Sequence, residues 1–126
     1  MKLVKILALV LTIGSFSSVY SQLTCDSIAS LTNSYLHTEN DKLQNKMFIS
    51  DGQVYRAFLD EDQTAEFWVT FYGNSTYRIA SSAGNEDNFV IFEIYDKDRN
   101  LLFSNYEHAN APFWDVEIES TIDCTI

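Results

Sequence analysis

The residues best suited to chemistry gather at 89–108, in the stretch FVIFEIYDKDRNLLFSNYEH. Asp96, Asp98, Asn100, Ser104 and Glu107 fall at positions 1, 3, 5, 9 and 12 of a calcium-loop frame, and hard oxygen ligands at that spacing are what Ca2+ takes. Position 6 is Leu101, where such a loop needs glycine for its sharp turn, and the flanks read as strands rather than helices. The same residues make the polar tip of a β-hairpin, with Tyr95 closing one strand and Leu101 opening the next. The hairpin tip is the expected reading. A Ca2+ contact at Asp96, Asp98, Asn100 and Glu107 is the sharper alternative, and Glu61, Asp62, Glu86 and Asp87 are acidic loop residues able to join a sandwich-type calcium site. No other cofactor is implied.

Aromatic residues supply a second kind of site. In AEFWVTFY, Phe67, Val69 and Phe71 alternate with Glu66, Trp68, Thr70 and Tyr72, so Trp68 and Tyr72 flank Thr70 on one face of a strand. A flat aromatic pair of this kind stacks sugar rings or anchors a protein partner. With Tyr106, these are the candidate partner-binding residues. The competing expectation is that the N-terminal helix or a neighbouring element covers this face, since Phe89, Ile91 and Tyr95 also occupy nominally outer positions. Covering is the favoured reading.

Catalytic patterns are missing from the sequence. It has no G-x-S-x-G, no H-E-x-x-H, no phosphate-binding glycine loop and only 4 glycines. His37 and His108 have no ligand spacing, and 18 carboxylates offer a pair at glycosidase distance too readily for that to discriminate. The chain is expected not to be an enzyme.

Residues 1–21 have the layout of a cleaved signal peptide: Lys2 and Lys5, an apolar run at 6–13, then Val19 and Ser21 before the cut. A lipoprotein signal acylated at Cys25 is the weaker alternative, because Gln22-Leu23-Thr24 is a poor lipobox. Export to the periplasm or outside the cell follows, without membrane insertion after cleavage. What remains is one domain, 22–126, of 105 residues. Losing Lys2 and Lys5 leaves six basic residues against 18 acidic ones, a net charge of −12, which repels nucleic acid and favours basic or cationic partners. Cys25 and Cys124 are the only cysteines, and in an oxidising compartment an even pair suggests one disulfide, worth roughly 4–5 kcal/mol for a loop of about 100 residues. Asn74-Ser75-Thr76 is a formal N-glycosylation sequon that a bacterial-style signal leaves idle.

The elements that must position these residues are mostly strands. Asp26-Ser27 can cap a helix whose apolar face, Ile28, Leu31 and Tyr35, runs to about His37. KMFIS-DG-QVYRAFL reads as a hairpin with a tight Asp51-Gly52 turn. In TYRIA, Tyr77 and Ile79 point inward and Arg78 outward; FVIFEIY is a central strand and LLFS pairs back on it. FWDVEIES places Trp114, Val116 and Ile118 inward and Asp115, Glu117 and Glu119 in water. Ile122, Cys124 and Ile126 carry the alternation to the last residue, as an open edge strand or as a sign of C-terminal truncation. The fold class expected is mainly β: an antiparallel, jelly-roll-like β-sandwich with one short N-terminal helix.

The order of a polar–aromatic strand, the stretch GNSTYRI from Gly73 to Ile79, an apolar strand ending in Tyr95-Asp96, then Asn100-Leu101-Leu102 resembles the bacterial pre-peptidase C-terminal (PPC-like) β-sandwich across residues 58–105, under half of the mature chain. The resemblance implies a jelly-roll-like module that accompanies exported proteins, with substrate or matrix binding in some relatives and calcium in others. The expected function is an exported, non-catalytic binding module recognising a protein or polysaccharide partner at the cell envelope or outside. The alternatives are a calcium-stabilised module, or an accessory subunit that completes a partner's sheet by strand addition at its C-terminal edge.

Overall fold

A computed structural model describes residues 24–84 and 89–126. The signal segment read at 1–21 and the acidic pair Glu86 and Asp87 lie outside the described residues.

Helix α1 spans Cys25–Leu36 and short helix α2 spans Glu39–Leu43. The cap of α1 is Thr24, not Asp26-Ser27. Thr24 Oγ1 accepts the Ser27 N–H and Ser27 Oγ accepts the Thr24 N–H, a capping box that leaves Asp26 in the first turn beside the positive helix end. Thr38 and Asp41 repeat the device three residues apart, so just past the expected helix end at His37 the chain forms a second short helix where a single one was expected.

Among the described residues six antiparallel strands form two sheets: β1 (Trp68–Phe71), β2 (Ser75–Ala80), β3 (Glu93–Asp96), β4 (Leu101–Ser104), β5 (Phe113–Ile118) and β6 (Ile122–Thr125). One sheet has the order β1-β6-β3-β4 and the other pairs β2 with β5. The sheets face each other as a β-sandwich. Period-2 alternation sends Phe71, Ile94 and Cys124 of the larger sheet into the core, where Tyr77, Ile79, Val116 and Ile118 of the smaller one meet them. Phe71 packs edge-on to Tyr77 at 5.0 Å, and Phe103 stacks on Trp114 at 5.1 Å. The mainly β sandwich with an N-terminal helix is therefore what the chain forms.

Several expectations change in three dimensions. The C-terminal strand is not an open edge: β6 lies between β1 and β3, and Phe67 and Ile126 exchange backbone bonds of 2.8 and 2.9 Å beyond its end. The edges of this sheet are β1 and β4. β6 is paired with β1 along its length and with β3 at Cys124 and Thr125, so the open C-terminal edge that strand addition was expected to use is not present.

The Asp51-Gly52 turn is present, with Gly52 at φ +82° and Asp51 Oδ1 accepting the Gln53 N–H, but no ladder forms on either side of it. The segment is pinned at two points instead. Phe48 lies against the Arg78 guanidinium and Tyr55 stacks on Phe67 at 4.5 Å. Between and beyond these anchors Met47, Ile49 and Phe58 stand in solvent, Phe58 91% exposed.

Arg78 does not point into water. Its side chain is only 4% exposed, bridged by Asp115 directly across the β2–β5 ladder and by Asp41 of α2. Nη2 donates to Asp115 Oδ2 and Asp41 Oδ1, each at 2.9 Å, and the guanidinium lies between the rings of Phe48 and Phe113 at 4.2 and 4.6 Å. Asp115, expected in water, is half-buried for the same reason. The Arg78 bond holds Asp41 well below the usual carboxylate range, and the Asp115 bond pushes Arg78 up. This ion cluster ties the helical layer to the outer face of the two-stranded sheet, as do the bond the Ser82 hydroxyl donates to Ile28 O and its hydrogen bond with the Thr32 hydroxyl.

The disulfide is not formed. Both cysteines are free thiols, Cys25 exposed at the start of α1 and Cys124 buried in the core. The helix packs on the far side of β2–β5 from that core, and packed layers lie about 10 Å apart, beyond the Cα separation a bridge tolerates. Burial pushes the Cys124 thiol pKa up.

Candidate functional site

Helices cover the outer face of the smaller sheet; no described element covers that of the larger one. Trp68 and Tyr72 are 77% and 63% exposed, and Phe89 and Ile91 are also open to solvent. The expectation of a covered face is thus reversed, because α1 is held on the opposite sheet by Arg78 and Ser82. Trp68 and Tyr72 share one face of the β1 strand line, about 13 Å apart at strand rise, with Thr70 between them.

Register brings further groups to this face. Trp68 and Tyr95 both pair with Thr125, and Tyr95 pairs on with Leu101, so one row crosses the whole sheet. Thr125 is buried although it points outward, since a large ring flanks it on each side. Two residue pairs along, on the same face, the Thr70 hydroxyl donates to Asp123 Oδ1 at 2.7 Å. Arg99 lies over the Tyr95 ring at 5.1 Å and pairs with Glu66 at 2.8 Å, which raises its pKa. The Tyr95 hydroxyl donates to Glu93, and that carboxylate pushes the Tyr95 pKa up.

Beside Trp68 the surface dips into a depression of about 250 Å³ lined by Trp68, Val69, Thr70, Lys97, Asp123 and Cys124. Register explains the dip. Only Thr125 and Cys124 of β6 pair with β3, and β3 then turns away at Asp96, so among the described residues no strand pairs with Asp123 on that flank. Lys97 overhangs the opening and forms no ion pair among the described residues. A larger depression of about 390 Å³ beside α2 includes Asp41, but that carboxylate is already taken by Arg78 and Thr38.

The calcium candidates form a hairpin tip. Asp96 Oδ1 accepts the backbone N–H of Asp98 and Asn100 at 2.9 and 2.8 Å, and Oδ2 accepts Asn100 Nδ2 at 2.9 Å. These bonds, Asn100 first, lower the Asp96 pKa. Arg99, at φ +65°, takes the left-handed position that closes the turn. Glu107 sits in the 3-10 turn Asn105–His108, past the far end of β4. Asp96 and Asn100 are brought together; Asp98 lends its amide to them and Glu107 is elsewhere. Among the described residues no three His, Cys, Asp or Glu side chains are grouped to hold a metal.

Tyr106 is 72% exposed but belongs to the same far end as Glu107, apart from Trp68. Its neighbour Asn105 is fully buried: Oδ1 accepts the Phe92 N–H at 2.9 Å, and Nδ2 donates to Val90 O and Ala111 O at 2.7 and 3.1 Å. His108 packs against both rings of the Phe103–Trp114 pair, at 5.3 and 4.2 Å. Thr70, Tyr95, Lys97 and Asp123 join the site without having been singled out. Alternation already put Thr70 and Tyr95 on outer positions, whereas Lys97 and Asp123 reach Trp68 only through strand order.

No family model, curated protein or solved structure matches this chain.

Proposed function

We propose that the chain is an exported, non-catalytic binding module that holds a protein or polysaccharide partner on the outer face of its four-stranded sheet. The observation that carries this reading is Trp68, a large ring left 77% in solvent on the outer face of its sheet, whereas helices pack on the outer face of the opposite one. Burying such a ring stabilises a complex by roughly 1.5–3 kcal/mol, which makes an uncovered one a docking feature. Tyr72 and the Tyr95–Arg99 stack extend the same surface. The likeness of residues 58–105 to PPC-like sandwiches, which accompany exported proteins, points the same way, as does the signal-like N-terminus. The strongly acidic chain argues against nucleic acid as the partner.

The test is retention of the processed chain on a panel of insoluble polysaccharides and selection against a random-peptide display library. Trp68→Ala and Tyr72→Ala should each reduce retention, while Tyr106→Ala, at the far end, should not. Binding that is indifferent to both Trp68 and Tyr72 would overturn the assignment of this face.

A further inference from the structure

We infer that the depression beside Trp68 is a subsite for one pyranose ring of a neutral polysaccharide, an assignment that rests on the binding-module reading above. A sugar ring has an apolar C–H face and a rim of hydroxyls, each both donor and acceptor. The depression answers both. Trp68 offers an open aromatic wall for the C–H face. At the rim, Asp123 keeps one carboxylate oxygen for a sugar hydroxyl while the other is held by Thr70, which fixes its orientation. Lys97 supplies ammonium donors not engaged in an ion pair. A hydroxyl donating to a carboxylate, and an ammonium donating to a hydroxyl oxygen, both form charge-assisted hydrogen bonds, roughly twice as strong as neutral ones.

Size and charge select among ligands. A volume of about 250 Å³ is smaller than the roughly 300–1,000 Å³ of pockets that enclose a drug-sized molecule. The site therefore takes a ring of a chain lying across it rather than swallowing a free ligand, and Tyr72, farther along the same strand line, offers that chain a second stacking surface. The lining carries one cation and one anion, so it has no net charge with which to select a phosphate or a carboxylated sugar. A polyanionic glycan would also meet the field of a chain with 18 acidic and 8 basic residues. A basic peptide, favoured by that overall field, would meet Lys97 and Arg99 at this spot.

The experiment uses the full chain, expressed with its own N-terminal segment and purified after export. Two-dimensional amide and indole NMR would follow titration with cellohexaose, chitohexaose, laminarihexaose and mannohexaose, with an alginate oligomer as the charged control. Expected is a saturable shift of the Trp68 indole and of the Lys97 and Asp123 amides with at least one neutral hexaose. Trp68→Ala should weaken that binding at least tenfold, Trp68→Phe less, and Asp123→Asn by an intermediate factor. Circular dichroism checks that each variant is folded. No shift with any neutral hexaose, or shifts with alginate alone, would overturn the sugar assignment. If Trp68-dependent selection of display peptides persisted in that case, the module reading would survive; if both failed, both readings would fall.

Discussion

Replacing Arg78 with methionine distinguishes the tertiary structure from the strand pattern more sharply than any other single change. Strict alternation puts Arg78 in water, where a substitution shifts stability by no more than about 0.5 kcal/mol. The structure buries it between two carboxylates and two phenyl rings. Removing one partner of a buried, hydrogen-bonded charge cluster costs about 3–5 kcal/mol, because the remaining charges lose their counterion. Loss of the two ring contacts adds on the order of 1 kcal/mol. A domain of this size has about 5–15 kcal/mol in all, so the variant should be close to its folding limit. At about 4–8 °C per kcal/mol, a 3 kcal/mol loss lowers Tm by at least 12 °C. Equilibrium denaturation followed by far-UV circular dichroism measures this directly. A second variant guards the interpretation: Arg78→Met with Asp41→Leu and Asp115→Leu removes all three charges together and should recover most of the lost stability. A loss below about 1 kcal/mol in Arg78→Met, or no recovery in the triple variant, would refute the ion cluster as drawn.

Three further outcomes are expected. Because Arg78 depresses the Asp41 pKa in the folded state, the stabilisation is present above the unfolded carboxylate value of 3.8 and is lost as pH falls below it, and Asp41→Asn should flatten that acid limb of a Tm-against-pH curve. With the thiols free, a thiol reagent should label Cys25 at once and Cys124 only on unfolding; a mature chain with no titratable thiol in denaturant would contradict the fold. Asn105→Ala strips three hydrogen bonds from a fully buried site and should cost about 3 kcal/mol in chemical denaturation, whereas Tyr106→Ala, next door and exposed, should be within about 0.5.

The pattern of apolar residues carried a good part of this fold. Val69 and Phe71 against Trp68 and Tyr72, and Trp114, Val116 and Ile118 against Glu117, sort inward from outward by period 2 alone. The centrality of β3 followed from its apolar run, and the Asp96-to-Asn100 turn from its turn chemistry. The same logic misplaced Arg78 and Asp115. A strand's outer face is polar in the pattern whether water or a helix lies on it, and only the helix made these two charges partners. It also made a hairpin of residues 46–59, where the local turn forms but no edge receives the strands.

Sequence by itself therefore determined most of what is local: the first helix, which way the side chains of the observed strands face, the acidic charge and the absence of recognisable catalytic patterns. Tertiary structure alone decided what depends on residues far apart in the chain. It placed β6 inside the sheet, separated Cys25 from Cys124 by a layer, seated the helices on β2–β5, and so left Trp68 open beside Lys97 and Asp123. The physical reason is that alternation encodes which way each side chain points, while strand order and layer stacking arise from packing among elements that no short stretch of sequence contains.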